Sequence, residues 1–156
     1  PQHMVCDKTY WKAYKHVNNH FCERILEIAE PEDTIWIHDY HLMLLPRMVR
    51  EKMPEATIGF FLHIPFPSLE VFRLLPWRRE ILEGMLGADL IGFHTYDYVR
   101  HFLDAILYLL EYEHEMGWVN LEDRRVKVDA FPMGIDVEKF EKALGRMKEG
   151  ESVYRR

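Results

Sequence analysis

Two short segments hold most of the residues able to do chemistry. Thr34-Ile-Trp-Ile-His-Asp-Tyr-His-Leu42 and Thr57-Ile-Gly-Phe-Phe-Leu-His-Ile-Pro-Phe-Pro67 are apolar, β-branched and aromatic runs that each stop abruptly at polar residues. A third run, Leu90-Ile-Gly-Phe93, gives way to His94 and Thr95 in the same manner. Such runs read as buried strands, and in a parallel sheet the residues just after each strand gather along one edge, where open α/β sheets bind ligands. That edge collects His38, Asp39, Tyr40 and His41, then His63 and Ile64, then His94 and Thr95. A weaker fourth strand adds Gly134 and Asp136.

Three chemistries fit this cluster. In the plainest, Asp caps a helix or closes a turn and His fills a satisfied core position, since polar residues often serve turns and caps. Four strands ending alike weaken that account for the set. A metal site would use His38, Asp39 and His41 with His63 and His94. Strand alternation points the side chain of His38 away from that of Asp39, however, and no helical His-x-x-x-His pair or Cys cluster is present. A sugar or sugar-phosphate site needs carboxylate acceptors and imidazole groups on rigid elements, which Asp39, His63 and His94 supply, with Tyr40 offering a stacking face and a hydroxyl. No G-x-G-x-x-G or Walker lysine loop marks a nucleotide fingerprint.

The elements that must position these groups alternate. Helical spacing from Tyr10 to Ala29 places Tyr10, Tyr14, Val17, Phe21, Ile25 and Ile28 on one face, and Pro31 ends it. Strand Thr34–His38 follows, then a helix from about Leu44 to Lys52, strand Thr57–Leu62, a short helix opened by Ser68, and another from Pro76 to Leu86 that Gly87 ends as a C-cap. After strand Leu90–Phe93, a long amphipathic helix is predicted from about Tyr96 to Glu113, then strand Val126–Phe131 and a last helix from Val137 to Lys148. This order implies right-handed βαβ crossovers and a Rossmann-like parallel sheet with helices on both faces. One α/β domain is expected, with a core over residues 10–131 and a linker and helix over 132–156.

Composition narrows the class. The 156 residues are 48% hydrophobic and 29% charged, a soluble globular balance, and the interspersed charge of −6 argues against a nucleic-acid partner. Cys6 and Cys22 have no metal-ligand spacing and are too few for a disulfide scaffold, which favours a reducing, cytoplasmic setting. No apolar run suits a membrane span. Both ends look cut, so a fragment of a longer protein is expected.

The motifs themselves are recognisable. Ile35-Trp-Ile-His-Asp-Tyr-His-Leu42, Gly59-Phe-Phe-Leu-His-Ile-Pro-Phe-Pro67 and Leu90-Ile-Gly-Phe-His-Thr95 resemble consecutive motifs of the trehalose-6-phosphate synthase family. Trp11-Lys-Ala-Tyr-Lys-His-Val-Asn-Asn-His-Phe21 is similar to the helix preceding them, and Phe131-Pro-Met-Gly-Ile-Asp136 to the passage toward a second domain.

The resemblance implies a retaining glucosyltransferase of two-domain GT-B architecture, transferring glucose from UDP-glucose to glucose 6-phosphate, with no metal and no cofactor beyond the donor substrate. This chain would be the later part of the N-terminal domain, facing an absent C-terminal domain, with a homo-oligomer left open. By the same resemblance Asp39 would accept hydrogen bonds from acceptor hydroxyls and Tyr40 would flank that subsite. His63 would meet the donor glucose as the catalytic group, and Ile64 would shape the acceptor pocket. His94 would bind sugar where many relatives carry glutamine. The fragment alone is expected to transfer no glucose, and a non-catalytic regulatory or sugar-phosphate-sensing relative is the alternative.

Overall fold

The computed structural model describes residues 7–134 together with Val137, Glu138, Phe140, Glu141 and Leu144. Asp136 and the expected helix from Val137 to Lys148, apart from those five positions, lie outside the described residues. Helix α1 (Lys8–Ile28) starts at Asp7, whose carboxylate accepts from the Thr9 N–H, a standard way to satisfy a helix's orphan donors. The apolar runs form β1 (Thr34–His38), β2 (Thr57–Phe61) and β3 (Leu90–Phe93), joined through α2 (Leu45–Lys52) and through the short α3 (Leu69–Phe72) and α4 (Arg78–Met85). Helix α5 (Tyr96–Leu110) leads to β4 (His114–Glu115), β5 (Trp118–Asn120) and β6 (Arg125–Ala130).

The strands make one sheet in the order β1-β2-β3-β6-β5-β4. Strands β1, β2, β3 and β6 are parallel, as the alternation of elements predicts. Beyond β6 the sheet turns antiparallel through β5 and β4, an extension the sequence reading did not contain. Helix α5 stops short of Glu113 because Glu111 takes a left-handed conformation, and Met116 and Gly117, both with positive φ, close the two-residue turn between β4 and β5. Strands of two and three residues carry too little periodicity to be read from sequence.

The order of the parallel strands also decides where the helices go. Successive right-handed crossovers that step one way along a sheet leave their helices on the same face. Accordingly, among the described residues α1 packs on α2, α2 on α4 and α4 on α5 in a continuous layer. Ile37, Ile58, Phe60, Ile91, Phe93, Val126 and Val128 are buried beneath that layer. Phe93 and Phe102 are fully buried and pack ring against ring, and full burial of a side chain of that size stabilises by about 2 kcal/mol.

Two details of the layer differ from the expectation. Trp11, Asn18 and Cys22 are the buried residues of α1, with Tyr14 and Ile25 packed beside them, whereas Tyr10, Val17, Phe21 and Ile28 are exposed. The stripe is rotated because Trp11 stacks on Trp77 at 4.8 Å and Asn18 finds its hydrogen bonds on that side. Gly87 is not a left-handed cap: a Cβ there would run into the backbone of Pro46 and Arg47, so the residue exists to let the end of α4 lie against α2. Among the described residues no helix is long and apolar enough to cross a membrane.

Candidate active site at the ends of the parallel strands

The open face of the sheet carries two cross-strand rows. Trp36, Gly59, Leu90 and Lys127 lie in register, as do His38, Phe61, Gly92 and Asp129. Trp36, His38, Gly59, Phe61, Leu90 and Gly92 of these rows line a cavity of about 520 Å³ together with His63 and Phe131. Gly92 keeps it open. A Cβ at that position would come within 2.6 Å of the Phe61 ring and 3.1 Å of the Phe131 ring.

At the end of β1 the backbone leaves its ladder in an unusual way. The Asp39 N–H still donates to the Phe61 carbonyl at 2.8 Å, but Asp39 has φ 70° and ψ 171°, a conformation nearly confined to glycine. Holding a side-chain-bearing residue there costs about 1–3 kcal/mol and is characteristic of functional positions. The consequence is geometric. Asp39 Oδ1 accepts from the His63 N–H at 3.3 Å, while the ring of His38 reaches the ring of the same His63, Nδ1 to Nε2, at 2.9 Å. Simple alternation separates His38 from Asp39, whereas the positive φ lets both engage His63.

The remaining predicted residues take two kinds of position. His94 joins the cluster, its ring 5.4 Å from that of His63 and edge-on to Phe61 at 5.0 Å, and Phe61 in turn lies 4.7 Å from His63. Tyr40 and Ile64 follow Asp39 and His63 in the chain and stand exposed. The Tyr40 ring lies against that of His41 at 3.8 Å. Among the described residues no group of three or more His, Cys, Asp or Glu is arranged to hold a metal ion, and the nearest pair of imidazoles is bonded to itself.

The support of Asp39 comes from α1, which the sequence reading did not connect to the site. The Tyr14 hydroxyl donates to the Tyr40 carbonyl at 2.7 Å and accepts from the Met43 N–H at 3.0 Å. Asn18, fully buried, donates to the Tyr14 and His41 carbonyls at 2.9 and 3.0 Å and accepts from the Leu44 N–H at 3.2 Å. Together they strap down the 3-10 turn Tyr40–Leu42 that follows Asp39. Burial pushes the Tyr14 phenol up to about 12, its bonds with Met43 and Asn18 offsetting part of the effect. The available signal was an Asn set into the apolar stripe of α1, because a buried amide needs partners.

Carboxylate, imidazoles and an aromatic-walled cavity are thus brought together at the carboxyl ends of adjacent parallel strands. A family model, Glycosyltransferase family 20, matches residues 1–153. The chain belongs to that family.

A curated relative, the UDP-forming α,α-trehalose-phosphate synthase of Pichia angusta, is 52% identical over 145 residues, 90% of this chain and 30% of the relative. The chain therefore spans about a third of the length of that family member. Among solved structures, the N-terminal domain of Candida albicans trehalose-6-phosphate phosphatase superposes with TM-score 0.87 at 37% identity, covering 99% of this chain and 35% of that one. A Burkholderia xenovorans α,α-trehalose-phosphate synthase in complex with glucose-6-phosphate gives TM-score 0.84 at 29% identity, covering 96% and 34%. The motifs from which the family resemblance was read are the strand ends that build this site.

Proposed function

We propose that this chain forms the acceptor-facing part of a UDP-forming α,α-trehalose-phosphate synthase whose parent protein transfers glucose from UDP-glucose to glucose 6-phosphate. The observation that carries this is the meeting of Asp39 with His63 across the ends of β1 and β2 in a member of glycosyltransferase family 20. Asp39 Oδ2 has no protein partner among the described residues and is assigned to acceptor hydroxyls. His63 faces the donor glucose, His94 adds a sugar contact, and Tyr40 and Ile64 border the acceptor.

In the reaction the anomeric hydroxyl of glucose 6-phosphate bonds to C1 of the donor glucose as the bond from C1 to the diphosphate breaks. The hydroxyl proton passes to the departing phosphate oxygen on the same face, so retention needs no second carboxylate. The protein's share is orientation of two sugars and stabilisation of positive charge at C1. The leaving diphosphate needs cations that the described cleft residues do not supply, which makes this chain one half of a cleft. A reducing cytoplasmic setting fits the buried free thiol of Cys22.

Likeness to the N-terminal domain of a phosphatase supports a second reading, a parent that binds sugar phosphate without transferring glucose. Kinetics of the purified parent protein with UDP-glucose and glucose 6-phosphate separate the two. The expected outcome is trehalose 6-phosphate formation, with Asp39→Ala raising KM for the acceptor and His63→Ala lowering kcat, each by about tenfold or more. Sugar-phosphate binding by calorimetry without turnover would establish the second reading, and unchanged kinetics in both variants would remove these residues from the site.

A further inference from the structure

We infer that His38 is a positioning residue for His63, the bond between His38 Nδ1 and His63 Nε2 fixing which nitrogen of His63 meets the sugar and coupling its tautomer to that of His38. The inference deepens the donor-side role proposed for His63 and rests on it.

The bond is 2.9 Å long and the two rings lie nearly parallel, 19° apart with centroids at 5.2 Å. His38 is held from behind by Trp36, whose ring lies 4.7 Å from its own, and it belongs to the last register pair of β1 and β2, opposite Phe61. His63 sits one residue past Leu62, whose N–H donates to the Gly92 carbonyl, so its backbone is tied to β3 on one side and to Asp39 on the other. The ring is exposed on the cleft, touching the rings of Phe61 and His94, and its hydrogen bond among the described residues is the one with His38. With Nε2 taken by His38, the ring nitrogen left for a ligand is Nδ1.

One proton lies between the facing nitrogens, and its owner sets the character of the other side. If His38 Nδ1 carries it, His63 accepts at Nε2 and presents Nδ1–H as a donor. If His63 Nε2 carries it, Nδ1 presents a lone pair. Either way the group that faces the sugar is set by a partner on the neighbouring strand, as the second nitrogen of a functional imidazole commonly is. In this arrangement His38 acts through His63.

Asparagine places its amide where Nδ1 of histidine lies, whereas glutamine reaches the place of Nε2, so the two variants discriminate position from polarity. In the full-length parent enzyme, His38→Ala is expected to lower kcat by about tenfold, the scale of one lost hydrogen bond, with KM for glucose 6-phosphate unchanged. His38→Asn should retain activity to within about threefold and His38→Gln should behave like His38→Ala. In a His63→Ala background, His38→Ala should cost nothing further, because neighbours acting as a unit are not additive. Equal losses in the Asn and Ala variants, or additive losses in the double variant, would overturn the positioning role while leaving His63 in place. A fully active His63→Ala enzyme would instead overturn the donor-side role, and the positioning role with it.

Discussion

Asp39 and His63 are joined across the ends of two parallel strands by a bond from the His63 N–H to the Asp39 carboxylate at 3.3 Å. In the proposed reaction these residues serve opposite substrates, so the bond sets the spacing between acceptor and donor sugars. Because the strand ladder places the backbone of both, the spacing is a property of the sheet rather than of flexible side chains.

Asp39 holds a glycine-like backbone, and this separates its functional from its conformational effect. In the parent protein, Asp39→Gly is expected to be more stable than Asp39→Ala by about 1 kcal/mol, because glycine adopts φ 70° without strain. Both variants should lose acceptor affinity alike. Urea unfolding midpoints provide the comparison, and equal stabilities would mean that the backbone at this point carries no strain.

The two glycines on the open sheet face should respond differently to the same added methyl. Gly92→Ala drives a Cβ into the Phe61 ring, beside His63 and His94, and should destabilise by about 1–3 kcal/mol while lowering turnover. Gly59→Ala meets the Trp36 ring at an ordinary 3.5 Å and should change stability by less than about 0.5 kcal/mol. Thermal denaturation and steady-state rates of both variants check the contrast. A harmless Gly92→Ala would show that the cavity wall can shift.

Tyr14 makes stability depend on alkaline pH. Its phenol stays neutral in the folded protein up to about 12, whereas an unfolded tyrosine ionises at the ordinary 10.0. Its contribution is therefore complete below that lower value and is lost as pH rises through the folded one, since in this window the unfolded chain releases a proton the folded chain keeps. The slope should approach about 1.4 kcal/mol per pH unit. Absorbance titration should show one tyrosine ionising late, and Tyr14→Phe should remove both that step and the extra pH dependence. A late step that persists in Tyr14→Phe would assign it elsewhere.

Much of the arrangement was legible before any coordinates. Strands Thr34–His38 and Leu90–Phe93 appear with the bounds read from sequence, because a β-branched or aromatic run ended by a polar residue is a local signal. Parallel pairing followed from alternation with helices, and the clustering of Asp39, His63 and His94 followed from parallel pairing. The antiparallel β4–β5 hairpin was not legible, being too short for a period. Nor was the buried face of α1, since apolar residues occur on two sides of that helix and only the stacking of Trp11 on Trp77 and the bonds of Asn18 choose between them.

What the sequence by itself determined is which groups reach the strand ends, and, through its motifs, the family. Tertiary structure decided how those groups meet. Whether His38 and Asp39 diverge or converge on His63 depends on one backbone torsion at Asp39, a conformation that asparagine and aspartate rarely take and that no residue type announces. That torsion is held by neighbours distant in the chain, Tyr14 and Asn18 from one side and the β2 ladder from the other. Local propensity writes the elements; the strained contact between them exists because packing from several directions over-determines it.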